Sequence, residues 1–340
     1  MSEPSLSIPS STFDYHPELP APEGPPPSPR YWVHGLLLAA TCFTTLVVGA
    51  RLEFNFQQNL PPFTAGNELL PFFPVGWALA QPSRLLLGIP FSAALLIILL
   101  SHEMGHYLLC RYYGVRATLP FFIPAPTLIG TLGAVIRIKA PIRSRTALFD
   151  IGIAGPIAGF VMAIASLAVA IMLSKPAVRG MAPSDLQLGY PAIFHVVQNL
   201  LRHFAPNRAV VVLPLSRVYL HPIAVAAWVG MYATALNLLP SGQLDGGHIV
   251  YALAPQAHRV ISWATVIALV GLGAWAFRAD HSNYSWWVWA GLITVMNALT
   301  IRQRQAPDHP AIPGNRRTLA LLAGLMLVLT FTSRPFHIAM

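Results

Sequence analysis

Seven runs of apolar residues, most of them close to twenty long, recur along this chain of 340 residues and leave little choice of fold. A run of about 20 apolar residues matches the roughly 30 Å hydrocarbon core of a bilayer, and inside lipid the backbone must satisfy its own hydrogen bonds, which a helix does. Spans are predicted at 31–51, 85–110, 148–174, 218–239, 260–277, 284–301 and 318–333. With 55% hydrophobic and only 10% charged residues, a water-soluble globular domain is the wrong class. The expected fold is an all-α polytopic membrane protein of about seven transmembrane helices. A further apolar piece at 71–80 is too short to cross and is broken by Pro74, so an interfacial or re-entrant segment is expected there.

Residues 1–30 hold nine prolines, three glutamates and one aspartate, a composition that cannot bury a core and reads as a disordered tail. This much polar sequence before the first span argues against a cleavable signal peptide, so 31–51 is expected to stay as a helix, followed by the interfacial segment up to 84. The net charge of +9 does not point to nucleic acid, because no basic stripe with interleaved aromatics is present. Alternating the seven spans instead places twelve of the twenty-one Lys and Arg residues on the side of the N-terminus, Arg116, Arg137, Arg145 and Arg316 among them. By the positive-inside rule that side is cytoplasmic, and the expected location is a cell (inner) membrane. The two cysteines, Cys42 and Cys110, lie in apolar helices and read as small buried hydrophobes.

The second span carries groups that lipid does not tolerate without a purpose: His102-Glu103-Met104-Gly105-His106. Two histidines four apart lie on one helix face, one turn apart, and can grip a single cation, with Glu103 beside it as an unligated base; this is the arrangement of a zinc hydrolase. The bland alternative is a pair of hydrogen-bonded core histidines. With twelve His and six Glu in the chain, chance supplies on the order of 0.01 such patterns, so the metal reading prevails.

A catalytic zinc site wants a third protein ligand and an open position. No glutamate follows Glu103, and the place of a third histidine six residues after His106 is taken by Tyr112. Asp185, Asp280 and Asp308 fall in polar loops, and Asp150, opening the third span, is explained by helix capping and the helix dipole. Asp245 remains, in NLLPSGQLDGGHIV at the end of the fourth span, where Pro240, Gly242, Gly246 and Gly247 break the helix. An Asp-Gly pair alone reads as a turn. Irregular backbone at membrane depth beside an incomplete histidine pair favours a ligand.

With these residues in view the chain resembles the site-2 protease family of intramembrane zinc metalloproteases, in a compact form without a PDZ domain. His102-Glu103-x-x-His106 matches the first motif of that family, and Asn237-x-x-Pro240-x-x-x-x-Asp245-Gly246 matches the second. FDIGIAGPIAGF at 149–160 resembles the glycine-rich helix between them, although Gly155 and Gly159 also form an ordinary GxxxG packing pair. The resemblance covers a three-helix catalytic core within 85–255, with C-terminal helices over 256–340. It implies one Zn2+ held by His102, His106 and Asp245, with Glu103 as catalytic base, and transmembrane proteins as substrates in the lipid bilayer. Asn237 is open between an oxyanion donor and a role in capping or support. His248 is open between a support to the metal ligands and a solvated helix-end histidine, the second being favoured.

Placed on a helix starting near Leu85, the zinc would lie on the order of 5 Å below the cytoplasmic boundary of the core. Between the second and third spans the β-branched alternation of AVIRIK predicts a membrane-surface hairpin or small sheet, either an edge to which an extended substrate adds or a plain basic hairpin. The loop 175–217 is too short for a PDZ domain, and the spacing of His195 and His203 within it specifies no metal site. Two competing readings stand beside the protease: a divalent-metal transporter, which would need further ligands along a path, and an inactive relative that binds membrane partners.

Overall fold

The computed structural model describes residues 30–63, 73–142, 144–178, 184, 186–281, 283–300 and 314–338. The Pro-rich tail, Asp185 and Asp308 lie outside these residues. Each predicted span coincides with a helix, but not each with a crossing length. α1 (Tyr31–Gln58) is followed by the short α2 (Val75–Ala80) and a 3-10 turn at Pro82–Gly88 that leads into α3 (Ile89–Tyr112). A hairpin of β1 (Phe121–Pro124) and β2 (Thr131–Val135) joins α3 to α4 (Arg145–Leu173). Next come β3 (Lys175–Pro176), β4 (Leu186–Leu188), the helices α5 (Ala192–Phe204) and α6 (Ala209–Val212), and β5 (Val218–Tyr219). The chain then returns through α7 (Pro222–Asn237) and α8 (Asp245–Leu253), and finishes with α9 (Pro255–Ala279), α10 (Ser285–Thr300), α11 (Asn315–Thr330) and β6 (Phe336–Ile338).

Among the described residues four helical stretches are long and apolar enough to cross a membrane: Tyr31–Gln58, Pro82–Tyr112, Arg145–Leu173 and Pro255–Arg278. Seven such spans are therefore not confirmed. α7 and α11 have 16 residues each, which at 1.5 Å per residue is about 24 Å, short of a 30 Å core. The cause in α7 is visible in the chain. Pro222 opens the helix, with the His221 ring capping it by accepting from the Ile223 N–H, and Val218–Tyr219 just before it is drawn into a ladder with β3. α4 departs the other way. Ser144 accepts from the Ala147 N–H, so the helix begins at Arg145 and Asp150 falls inside it rather than at its first turn.

The core is built around α3, α4 and α7, with Leu95, Ile98, Leu167, Ile171, Ala227 and Met231 shielded between them. α1 closes one flank. There Thr45 Oγ1 and Ser92 Oγ lie 2.6 Å apart, and Thr44 donates to the Gly130 carbonyl of the hairpin. The approach of α1 to the turn before α3 is close: a Cβ on Gly88 would stand 2.1 Å from the Leu46 carbonyl oxygen. Only glycine fits. Cys42 and Cys110 are free, and Cys110 is wholly buried, as expected of a small hydrophobe.

β1 and β2 form the two-stranded antiparallel hairpin predicted at this place, with an irregularity between Phe122 and Pro124 and one outlying bridge from Ala117 to Ile138. Of AVIRIK only Ala134 and Val135 lie in a strand. The other two small sheets, β3 with β5 and β4 with β6, sit at the opposite ends of the helices. There Asp280, expected in a polar loop, is buried 2.7 Å from His337 Nδ1. Replacing Gly88 by alanine should push α1 from α3, costing about 1–3 kcal/mol, seen as a lower unfolding temperature of the detergent-solubilised protein.

Candidate metal centre

α3 carries His102, Glu103 and His106 in its last three turns, all buried. The space for two imidazoles comes from α4. A Cβ on Gly155 would fall 2.1 Å from His106 Nε2, and one on Gly159 would fall 3.1 Å from His102 Nδ1. The GxxxG pair is thus both a packing seam and a cradle for the two rings. α4 also orients one of them: His106 Nδ1–H donates to the Ile151 carbonyl at 2.7 Å, which leaves Nε2 with its lone pair free.

Asp245 arrives from the other side. α7 ends at Asn237, the backbone turns over Leu238–Leu244, and α8 begins at Asp245. The turn is as tight as its glycines suggest. Gly242 has φ +57, a Cβ on Gly246 would lie 2.1 Å from the Leu238 oxygen, and one on Gly247 would lie 2.4 Å from the Gly242 oxygen. Asp245 is therefore not a turn residue in its own right; the break before it aims its carboxylate at α3.

His102 Nε2, His106 Nε2 and Asp245 Oδ2 converge, with separations of 3.2 Å between the imidazoles and of 3.4 and 3.3 Å from each to the carboxylate. Four ligands about 2.0–2.1 Å from one tetrahedral zinc stand about 3.3 Å apart, so the three edges are those of half-built tetrahedral coordination. The buried Oδ2 of Asp245 has no hydrogen-bond partner among the described residues. Two nitrogen donors and one carboxylate oxygen suit zinc. The residues fit the ion, and among the described residues they are the one group of three or more His, Cys, Asp or Glu side chains able to share a cation.

Glu103 is not part of that triangle. Its Oε2 accepts a hydrogen bond from the Ile136 backbone N–H at 2.9 Å, which ties the carboxylate to the segment just after β2. A cavity of about 490 Å³ opens over the four residues, lined on one side by Leu132, Gly133 and Val135 of β2 and on the other by Trp289 and Ile293 of α10. Asn237 lines it too, its Nδ2 3.2 Å from His102 Nε2. His248 is half-buried at the wall of the same cavity, the nearer of its two readings to the site: α8 runs alongside α4 and lays His248 against Gly152. Asp150 needs correcting. It caps nothing and instead takes a two-pronged ion pair from Arg316, at 2.8 and 2.6 Å, and a hydrogen bond from the Tyr113 hydroxyl. The backbone groups of Ile136 and Ile151 have no signature in the sequence, since any residue supplies an N–H and a carbonyl.

A sequence model of peptidase family M50 matches residues 90–273, a segment that contains both motifs, the glycine-rich α4, the three converging side chains and Glu103. The chain belongs to peptidase family M50. The site-2 protease resemblance seen in its motifs is thereby shown. Among curated relatives, the probable zinc metalloprotease EGY1 of rice is 30% identical over 261 residues, 74% of this chain and 42% of that protein. EGY1 of Arabidopsis thaliana is 31% identical over 259 residues, 73% of this chain and 44% of its own length. EGY2 of Arabidopsis is 27% identical over 187 residues, 55% of this chain and 32% of that protein. The chain spans less than half the length of each of these relatives. All three are named as chloroplastic, so they lend no support to the cell inner membrane expected above.

The Gly155 cradle makes a prediction with two opposite signs. Alanine there should favour the helix by up to about 1 kcal/mol yet force the His106 ring aside, giving a folded protein depleted of zinc; elemental analysis beside thermal unfolding reads both.

Proposed function

We propose that this chain is an intramembrane zinc endopeptidase with one Zn2+ per chain, cleaving membrane-spanning protein substrates. The observation that carries the reading is the convergence of His102, His106 and Asp245 at tetrahedral spacing beside a second acidic group, Glu103, that is not one of the three. Membership of family M50 and relatives named as zinc metalloproteases support it.

When bound, zinc supplies a Lewis acid that polarises the scissile carbonyl and lowers the pKa of water. The chain supplies the rest. Glu103 takes the proton from the attacking water and delivers it to the leaving amine. The Ile136 N–H holds the Glu103 carboxylate toward the cavity while that proton is in transit. Asn237, whose amide already points into the cavity beside His102, donates a hydrogen bond to the carbonyl oxygen as it gains charge.

Substrate presentation follows from β2. A peptide bond in an intact helix is shielded by its own hydrogen bonds, so the substrate must be drawn out as an extended segment. β2 pairs with β1 alone among the described strands, and its residues border the cavity over Glu103. An unwound segment adds to it by strand pairing and is delivered to the metal centre. We orient the centre toward the face bearing the Arg-rich loops, the cytoplasmic face under the positive-inside rule. The transporter reading, which needs further ligands across the bilayer, finds no second cluster among the described residues.

Glu103→Gln should retain zinc and lose cleavage of a single-pass substrate by about 10²–10⁴-fold in detergent. Undiminished turnover in a clean preparation would remove Glu103 from the mechanism, and a wild-type chain that holds no zinc would remove the mechanism itself.

A further inference from the structure

The family match ends at residue 273, yet two polar contacts from beyond it, one part-buried and one buried, reach the two halves of the metal centre. The first comes from α11. Arg316 Nε and Nη2 donate to Asp150 Oδ1 and Oδ2 at 2.8 and 2.6 Å, and Tyr113, at the end of α3, donates to the same carboxylate. The next residue after Asp150 is Ile151, whose carbonyl receives His106 Nδ1–H. The ion pair therefore clamps the turn of α4 that sets the tilt of the His106 ring.

The second comes from α10. Asn297 is buried and exchanges hydrogen bonds with Ser241, Nδ2 donating to Ser241 Oγ at 3.1 Å and Oδ1 accepting from it at 3.4 Å. Ser262 of α9 accepts from the Gly242 N–H at 3.3 Å. Together they hold the turn that ends at Asp245. Gly242 needs its missing side chain here, because a Cβ would stand 2.9 Å from Asn297 Oδ1.

We propose that α10 and α11 brace the metal centre: Arg316 positions His106 through Asp150 and the Ile151 carbonyl, and Asn297 positions Asp245 through Ser241. Both are positioning residues. The inference rests on the metal centre proposed above, and it assigns work to helices outside the matched segment. Polar groups that orient metal ligands typically govern affinity by about 10–100-fold when removed.

The test uses the full chain in detergent, with zinc affinity read by chelator competition and ligand geometry read from the absorption bands of the cobalt-substituted protein. Arg316→Gln and Asn297→Ala should each weaken zinc binding by at least about tenfold and shift the cobalt bands. Arg316→Lys, which keeps the charge but not the fork, should recover part of the loss, and Arg317→Gln on the exposed neighbour should change nothing. Asp150→Asn should reproduce the effect of Arg316→Gln, and the double variant should add little to either. Thermal unfolding of the metal-free forms separates a brace from a plain stabilising contact. Variants that melt lower but keep wild-type zinc affinity and cobalt bands would overturn the proposal, as would fully additive losses at Asp150 and Arg316. A wild-type chain that takes up neither metal overturns the brace together with the reading it rests on; a metal-loaded wild type that cleaves nothing overturns only the protease.

Discussion

Two imidazole nitrogens and a carboxylate oxygen, brought within 3.2 to 3.4 Å of one another in an apolar interior, are the constraint around which the rest of this protein is arranged. Lone pairs converging in a buried place repel and forgo solvation, so such a cluster persists only where a shared cation or proton compensates it. The spacing suits a tetrahedral cation. Each nearby oddity of the chain then has a cause. Gly155 and Gly159 are small because the rings lie on them; Pro240, Gly242, Gly246 and Gly247 break a helix because Asp245 must approach α3 from a turn.

The same constraint explains why the cavity is made by so many elements. A helix alone presents the HExxH residues on one face but offers no room for a peptide. The hairpin supplies an extended border on one side, and Trp289 and Ile293 of α10 close the other. Glu103 is held by the border itself, through the Ile136 N–H, so the base and the proposed substrate track are fixed to one another. Acid–base and positioning functions that are far apart in the chain become one object here.

Much of this was legible beforehand, for identifiable reasons. His102, Glu103 and His106 were found because helical spacing turns three sequence positions into one geometry, and an ionisable trio inside an apolar run is conspicuous. Asp245 emerged from an inventory in which no later glutamate exists, aided by the broken helix around it. Asp150 was misjudged because a helix start read from hydropathy was three residues late; once Ser144 is seen to cap the helix, the carboxylate lies too far in to cap anything and pairs with a residue 166 positions away. The choice between the two readings of His248 depended on α8 packing alongside α4, a fact of docking.

Composition and periodicity by themselves determined the apolar spans, the positions of the helices and the candidates His102, Glu103 and His106, because lipid admits few backbone solutions and because helical spacing is local; the inventory of later acids added Asp245. Which helices are long enough to cross depended on caps and prolines in their folded context, as at Pro222 of α7. The backbone carbonyl of Ile151, the N–H of Ile136, and the reach of Arg316 and Asn297 to the two sides of the centre belong to the tertiary structure alone. A peptide group carries no residue code, and a contact between distant helices is decided by how they dock.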